Sequence, residues 1–169
     1  MHRLFNAEGT TQFYLPEGRW THLLTDETAV GPCWLQRTLP LDIMPIYIRH
    51  NALLPRTEPA SHIEEGSPSE LSVSAYLDSS CHSVFRDDEG LVELSADLND
   101  RMVTFFASRA GNWIFHLPLN VMPVRPVTVT TSEGPIGPVS ERADGGIGYW
   151  SSDDGLRVRF RGSECTVRW

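Results

Sequence analysis

The feature that most constrains the fold is a rhythm of short strand-forming runs with no helical period among them. No window of about 11 residues or more keeps apolar positions at helical spacing. Runs rich in Val, Ile, Thr, Tyr, Phe and Trp recur instead, broken by Gly, Pro, Asp and Asn. Twelve prolines and 13 glycines supply the breaks, which suits many turns and few helices. Turns every 8–12 residues or so between alternating strands predict sandwiches, because an isolated hairpin buries too little to stand alone.

The fold class expected is therefore all-β, with two antiparallel β-sandwich units. The segment PRTEPASHIEEGSP has three prolines, three glutamates and little apolar content, and reads as a boundary. It divides the chain into residues 1–66 and 67–169. The first unit is small, and its three or four strands bury little core on their own. Its predicted strands cover 11–15, 19–24, 33–39 and 46–49, with Pro16-Glu17-Gly18 as the turn of a hairpin. The second unit reads as about eight strands. Its turns fall at Ser79-Ser80, Asp87-Asp88-Glu89-Gly90, Asn99-Asp100, Ala110-Gly111-Asn112 and Ser152–Gly155.

Composition excludes several classes of function. The 14 basic residues are all arginines, so neither a Schiff-base lysine nor a phosphate-loop lysine exists here. The net charge is −8, which repels nucleic acid. Half of the 22 acids lie between residues 57 and 100, beside one base, Arg86. That stretch reads as a solvated acidic face, since no spaced Asp/Asn/Gly calcium loop occurs in it. No run approaches the roughly 20 apolar residues that span a bilayer. The N-terminal MHRLFNAEGTTQF has no apolar h-region, so a cytoplasmic location is expected.

Residues that carry chemistry are scattered. Cys33, Cys81 and Cys165 are odd in number and form no CxxC, so reduced, mostly buried thiols are expected. The six histidines show no HxH or HExxH spacing, and no metal or cofactor is expected. Cys81 and His82 are neighbours, which a strand points to opposite faces. Gly145-Gly146-Ile147-Gly148 lacks the strand–loop–helix context of a phosphate loop. Candidate carboxylate pairs are Asp87 with Asp88, Asp97 with Asp100, and Asp153 with Asp154. A retaining glycosidase needs two carboxylates about 5–5.5 Å apart, one held as an acid. All three pairs fall in polar turns and read as solvated turn residues.

Two stretches resemble a known family. Tyr14-Leu15-Pro16-Glu17-Gly18-Arg19-Trp20 and residues 45–55, PIYIRHNALLP, resemble the segment just after the catalytic barrel in family 31 glycoside hydrolases, especially the α-xylosidase branch. The chain departs from that pattern at Thr25-Asp26-Glu27, where many members have Thr-Gly-Glu. The likeness in motif covers residues 5–55; beyond it the second unit matches the family's distal sandwich only in strand rhythm.

The resemblance implies a proximal sandwich that packs on the barrel and a distal one that follows it. It also implies that the catalytic aspartates lie on the barrel, in motifs such as KTDFGE. The nearest acidic string here, Ala96-Asp97-Leu98-Asn99-Asp100, lacks that pattern. No catalytic residue is carried over, and the chain alone is expected to be inactive, as a fragment or split subunit. Its expected partner is a (β/α)8 barrel, in cis or as a separate chain. Without it, apolar residues among Phe5, Phe13, Leu15, Trp20, Ile46 and Ile48 are expected to be exposed and to favour homo-oligomers.

A carbohydrate-binding module is the alternative. Of the five tryptophans, Trp20, Trp34 and Trp113 read as core. Trp150, beside the glycine-dense loop, is the candidate platform for stacking on a sugar ring.

Overall fold

The computed structural model describes residues 9–40, 43–57, 70–119, 121, 128–139 and 146–169. The described residues form twelve strands and no helix, so none that could cross a membrane. The chain divides into two compact units, residues 1–50 and 51–169. The division falls at His50/Asn51 rather than at 66/67. The reason is strand pairing: β4 (Ala52–Arg56) pairs with β5 (Leu71–Tyr76), so the chain enters the second sheet before the proline-rich segment, not after it. Asn51 makes the corner. It adopts a φ of 63°, and its Oδ1 accepts the N–H groups of Asp78 and Ser79 at 2.9 Å each.

In the first unit the described residues form one three-stranded sheet in the order β2-β1-β3. These strands are β1 (Thr10–His22), β2 (Thr28–Thr38) and β3 (Tyr47–Arg49). Pro16-Glu17-Gly18, expected to be a hairpin turn, is a β-bulge inside a continuous β1. Leu15 faces Cys33 and Gly18 faces Gly31, so β1 advances three residues while β2 advances two. Gly18 takes a φ of 128°, open to glycine. Opposite it, a Cβ on Gly31 would lie 1.9 Å from the Pro16 carbonyl oxygen. The Trp20 indole N–H donates to that same oxygen at 2.9 Å. The true hairpin loop spans residues 23–27, with Asp26 at a φ of 56°. One face carries Leu15, Phe13 and Tyr47, whose rings stand 5.4 Å from Phe13 and 5.0 Å from His22. Of the apolar residues expected to be bare, Ile46 is exposed, Phe13, Trp20 and Ile48 are half-buried and Leu15 is buried. Phe5 lies outside the described residues.

The second unit contains β4 and β5 with β6 (Cys81–Asp87), β7 (Gly90–Asn99), β8 (Met102–Pro118), β9 (Thr128–Thr131), β10 (Gly134–Ile136), β11 (Gly148–Ser152) and β12 (Gly155–Arg168). All nine belong to one sheet. Ala110-Gly111-Asn112 and Arg161–Glu164 do not break it, although glycines there suggest turns. Instead β8 and β12 pair on both sides of these residues, with Gly111 facing Gly162, Phe106 facing Glu164, and residues 107–110 of β8 unpaired with β12 between them.

The sheet folds over at that unpaired stretch. The rings of Phe105 and Phe115 stack with centroids 4.7 Å apart, yet ten residues of straight strand span about 33 Å. Strand β8 must therefore bend back on itself, carrying β12 with it. One half of β8 pairs with β7 and the other, in parallel, with β5. The halves of β12 take β9 and β11. The layers β6-β7-β8-β12-β9-β10 and β4-β5-β8-β12-β11 thus face each other as a sandwich cut from one sheet. Between them lie Val73, Leu94, Phe105, Phe115, Leu117 and Phe160, all fully buried. Trp113 joins them and donates its indole N–H to the Gly162 carbonyl at 3.0 Å, across the bend.

Candidate functional site

The expected carboxylate pairs are placed on three separate hairpins. Asp87 ends β6 and accepts the N–H groups of Glu89 at 3.0 Å and Gly90 at 3.1 Å. Its other oxygen pairs with Arg109, which also reaches Glu89 at 2.8 Å. The hydrogen bond from Arg109 pulls the Asp87 carboxyl down from its ordinary range. Asp88 sits in the same turn. Asp97 lies in β7 opposite Thr104, and Asp100 makes the β7–β8 turn at a φ of 49°.

Asp153 and Asp154 make the β11–β12 turn. Asp154 is gripped in a bidentate fork by Arg157 at 2.7 and 2.6 Å and accepts Ser152 Oγ at 2.7 Å. The Arg157 fork, then Ser152, holds it far below the usual carboxylate range. A glycosidase acid needs the opposite shift. Among the described residues the carboxyls with displaced titration, Asp87 and Asp154, are both held as anions.

The sequence gives no warning of a buried polar network on the outer side of the β4–β11 layer. Ser74, His116, Arg157 and Trp150 stand in one register row across β5, β8, β12 and β11. His116 is 4% exposed. Its Nδ1 lies 3.0 Å from Ser74 Oγ, which also accepts Arg56 at 2.5 Å. Its Nε2 lies 3.6 Å from Asp154 Oδ2, beyond a hydrogen bond, and has no other partner. Burial pushes the imidazole down to about 4, aided by Arg157 and Arg56 and opposed by Asp154. His116 is neutral at neutral pH.

Ser74, His116 and Asp154 thus line up in the order of a nucleophile triad. The chemistry does not follow. Ser74 is fully buried, and a nucleophile must meet its substrate. Its hydroxyl is engaged by Arg56, and the acid that should orient the imidazole is too far to do so. Sequence spacing could not reveal the set, because 42 residues separate Ser74 from His116 and a parallel strand pair brings them together.

Trp150, the candidate sugar platform, is half-buried in β11. Its indole N–H is buried with no acceptor, and the Arg159 guanidinium sits 5.4 Å from the ring centre. Arg159 is itself held by Glu70 at 3.0 and 3.3 Å. The ring is packed into the network more than it is offered to solvent. Gly145 lies outside the described residues; Gly148 opens β11, where a Cβ would meet Val139 at 2.4 Å.

Cys33, Cys81 and Cys165 are free thiols; burial pushes Cys81 up to about 11 and Cys165 up to about 12. His82 points away from Cys81 and lies 3.6 Å from Glu93. Among the described residues no three potential metal ligands gather.

The aromatic surface lies elsewhere, in the first unit. Trp34, expected in the core, is 64% exposed on β2, and Tyr14 opposite it on β1 is 48% exposed. Their ring centroids are 5.5 Å apart, with planes tilted by 56°. Gln12 faces Gln36 in the next outward row, and Thr10 faces Thr38 beyond it.

No known family profile matches the chain. A stretch of 60 residues is 32% identical to the α-xylosidase XylQ of Lactiplantibacillus pentosus, covering 34% of this chain and 8% of that protein. Among solved structures, a Flavobacterium johnsoniae GH31 dextranase superposes with a TM-score of 0.81 at 15% identity, over 99% of this chain and 25% of its own. The cycloalternan-forming enzyme of Listeria monocytogenes gives 0.82 at 14% identity, over 98% and 17%. A GH31 α-xylosidase from Xanthomonas citri gives 0.57 at 15% identity, over 96% and 18%. The fold of this chain is therefore one found within family 31 glycoside hydrolases, and the chain spans a quarter or less of these proteins.

Proposed function

We propose that this chain is the non-catalytic, C-terminal β portion of a family 31 α-glycosidase of the α-xylosidase or α-glucosidase type, which braces a catalytic (β/α)8 barrel encoded in cis or as a separate chain. The observation that carries the reading is the superposition of 99% of this chain on only a quarter of a family 31 dextranase. The 32% identical stretch shared with an α-xylosidase supports the α-xylosidase branch. The site chemistry agrees: among the described residues the carboxyls whose titration is displaced are locked as anions by Arg109 and Arg157, where hydrolysis needs a carboxylic acid.

The partner is tested by purifying the tagged chain from its source under native conditions. The expected result is a stoichiometric complex, or a longer polypeptide, that contains a barrel and cleaves aryl α-xylosides or α-glucosides. A lone stable monomer, with no such activity associated with it, contradicts the bracing role.

A further inference from the structure

We infer that the seam between β5 and β8 is an acid-sensitive joint: protonation of His116 loosens the β4–β5 hairpin from the rest of its layer. This does not rest on the bracing role, because it follows from one line of polar contacts. The line crosses the layer strand by strand. Arg56 of β4 donates to Ser74 Oγ of β5 at 2.5 Å. Ser74 Oγ lies 3.0 Å from Nδ1 of His116 on β8. Nε2 of the same ring faces Asp154 Oδ2, in the β11–β12 turn, at 3.6 Å. Arg157 of β12 forks that carboxylate at 2.7 and 2.6 Å.

Counting protons shows which link is weak. A serine hydroxyl has one proton to give and lone pairs that accept. Ser74 is fully buried and already accepts from Arg56, so its own proton goes to His116 Nδ1. The proton of the neutral ring therefore sits on Nε2, facing the Asp154 carboxylate. His116 must accept on one side and carry its proton on the other. A second ring proton reverses the first side: Nδ1 becomes a donor to an oxygen that Arg56 already occupies. The Ser74 hydroxyl proton is then left buried without its acceptor, which costs more than a hydrogen bond gains.

Charge works in the same direction. Among the described residues, the charged groups acting on the ring are Arg157 from β12, Asp154 from the turn and Arg56 from β4. In the same row β5 presents Ser74 and β11 presents Trp150, and Arg159, one row along, is matched by Glu70. An imidazolium would be the third cation around one carboxylate that Arg157 already holds. Burial first, then Arg157, keeps the ring neutral down to about 4.

The joint gives at β5 because that strand is lightly held. It joins β8 through four register pairs, Leu71–Ser74 with Trp113–His116, in parallel, the weaker ladder per residue. Strand β4 hangs from β5 at the end of the sheet path. Opening there gives Nδ1 to water and leaves β8 paired with β12. The β7–β8 seam is the internal control: it has six antiparallel pairs and no histidine.

The test is hydrogen–deuterium exchange of the full chain at pH 7 and pH 4.5, read by mass spectrometry and corrected for the intrinsic rate at each pH. Protection over residues 52–56 and 71–76 should fall about tenfold or more on acidification. Protection over residues 90–99 should hold within about threefold. His116→Gln, whose carboxamide accepts and donates without titrating, should remove the difference. Nitrogen-15 NMR of the parent at pH 7 should find the His116 proton on Nε2. Equal falls in both regions, no fall in either, or a fall that survives in His116→Gln overturns the joint. So does a proton on Nδ1 at pH 7, a result that needs no variant to fold.

Discussion

Trp34 and Trp113 sit in similar strand settings and meet opposite fates. Both lie in strands whose residues alternate inward and outward. Trp113 falls on a sheet that folds back over itself, so it is 2% exposed and its N–H bridges the bend to Gly162. Trp34 falls on the outward face of the three-stranded sheet of the first unit and is 64% exposed among the described residues. Residue type and local pattern are therefore not enough to place an aromatic. What decides is whether a second layer reaches it, and that depends on where long strands bend.

The comparison is easiest to break at the core of the second unit. Phe105 touches the rings of Trp113, Phe115 and Phe160, all of which come from the opposite half of the folded sheet. Phe105→Ala should cost about 3–5 kcal/mol, read as a lowered midpoint in denaturant melts that follow this unit's tryptophan signal. A loss near zero would mean that the layers do not close on Phe105.

Acid should act next, through His116. Its folded-state pKa lies near 4, below the ordinary value of 6.5, so the unfolded chain binds the proton more readily. Stability is therefore full above about pH 6.5 and falls as the pH drops toward 4, by up to about 3 kcal/mol. Asp154 is shifted down as well, so its share is lost at still lower pH, below the ordinary carboxylate pKa. Melts of the parent and of His116→Gln at pH 7 and pH 4.5 separate the two. The parent should lose stability between these values and the variant much less; equal losses would remove His116 as the cause.

A smaller effect tests the bulge in the first unit. Gly31→Ala would drive a methyl against the Pro16 carbonyl, and should cost about 1–3 kcal/mol. Gly137→Ala, where a Cβ meets nothing within 4 Å, should change stability by less than about 0.5 kcal/mol. Parallel melts check both. Equal effects would mean that β1 and β2 do not approach as closely as drawn. Smallest of all should be Trp34→Ala, within about 0.5 kcal/mol of the parent, because its ring is mostly in solvent. A loss near that of Phe105→Ala would put a second layer over β2.

Much of the fold is legible in the sequence, in ways that explain what is not. The all-β class follows from alternation, and the turns at Asp87–Gly90, Asn99-Asp100 and Ser152–Gly155 follow from their polar, glycine-rich composition. The same composition misleads at Pro16-Glu17-Gly18, Gly111 and Gly162, because bulges and bends use the residues that turns use. The unit boundary misleads in another way: a proline-rich segment marks a loop, but only the pairing of β4 with β5 shows to which sheet the preceding strand belongs. The His116 network is illegible because its members meet only through pairings across β5, β8 and β12. Asp88, Asp100, Asp153 and Asp154 do sit in turns, but Asp97 lies within β7 and Asp87 ends β6, and the arginines that hold Asp87 and Asp154 come from positions no motif links to them.

The most direct test of the proposed role is hydrolysis of 4-nitrophenyl α-xyloside and α-glucoside by the purified 169-residue chain. No turnover above the buffer rate is expected. Turnover that disappears on replacing Asp87 or Asp154 with asparagine would contradict it, because it would place the chemistry in a chain whose displaced carboxyls are held as anions.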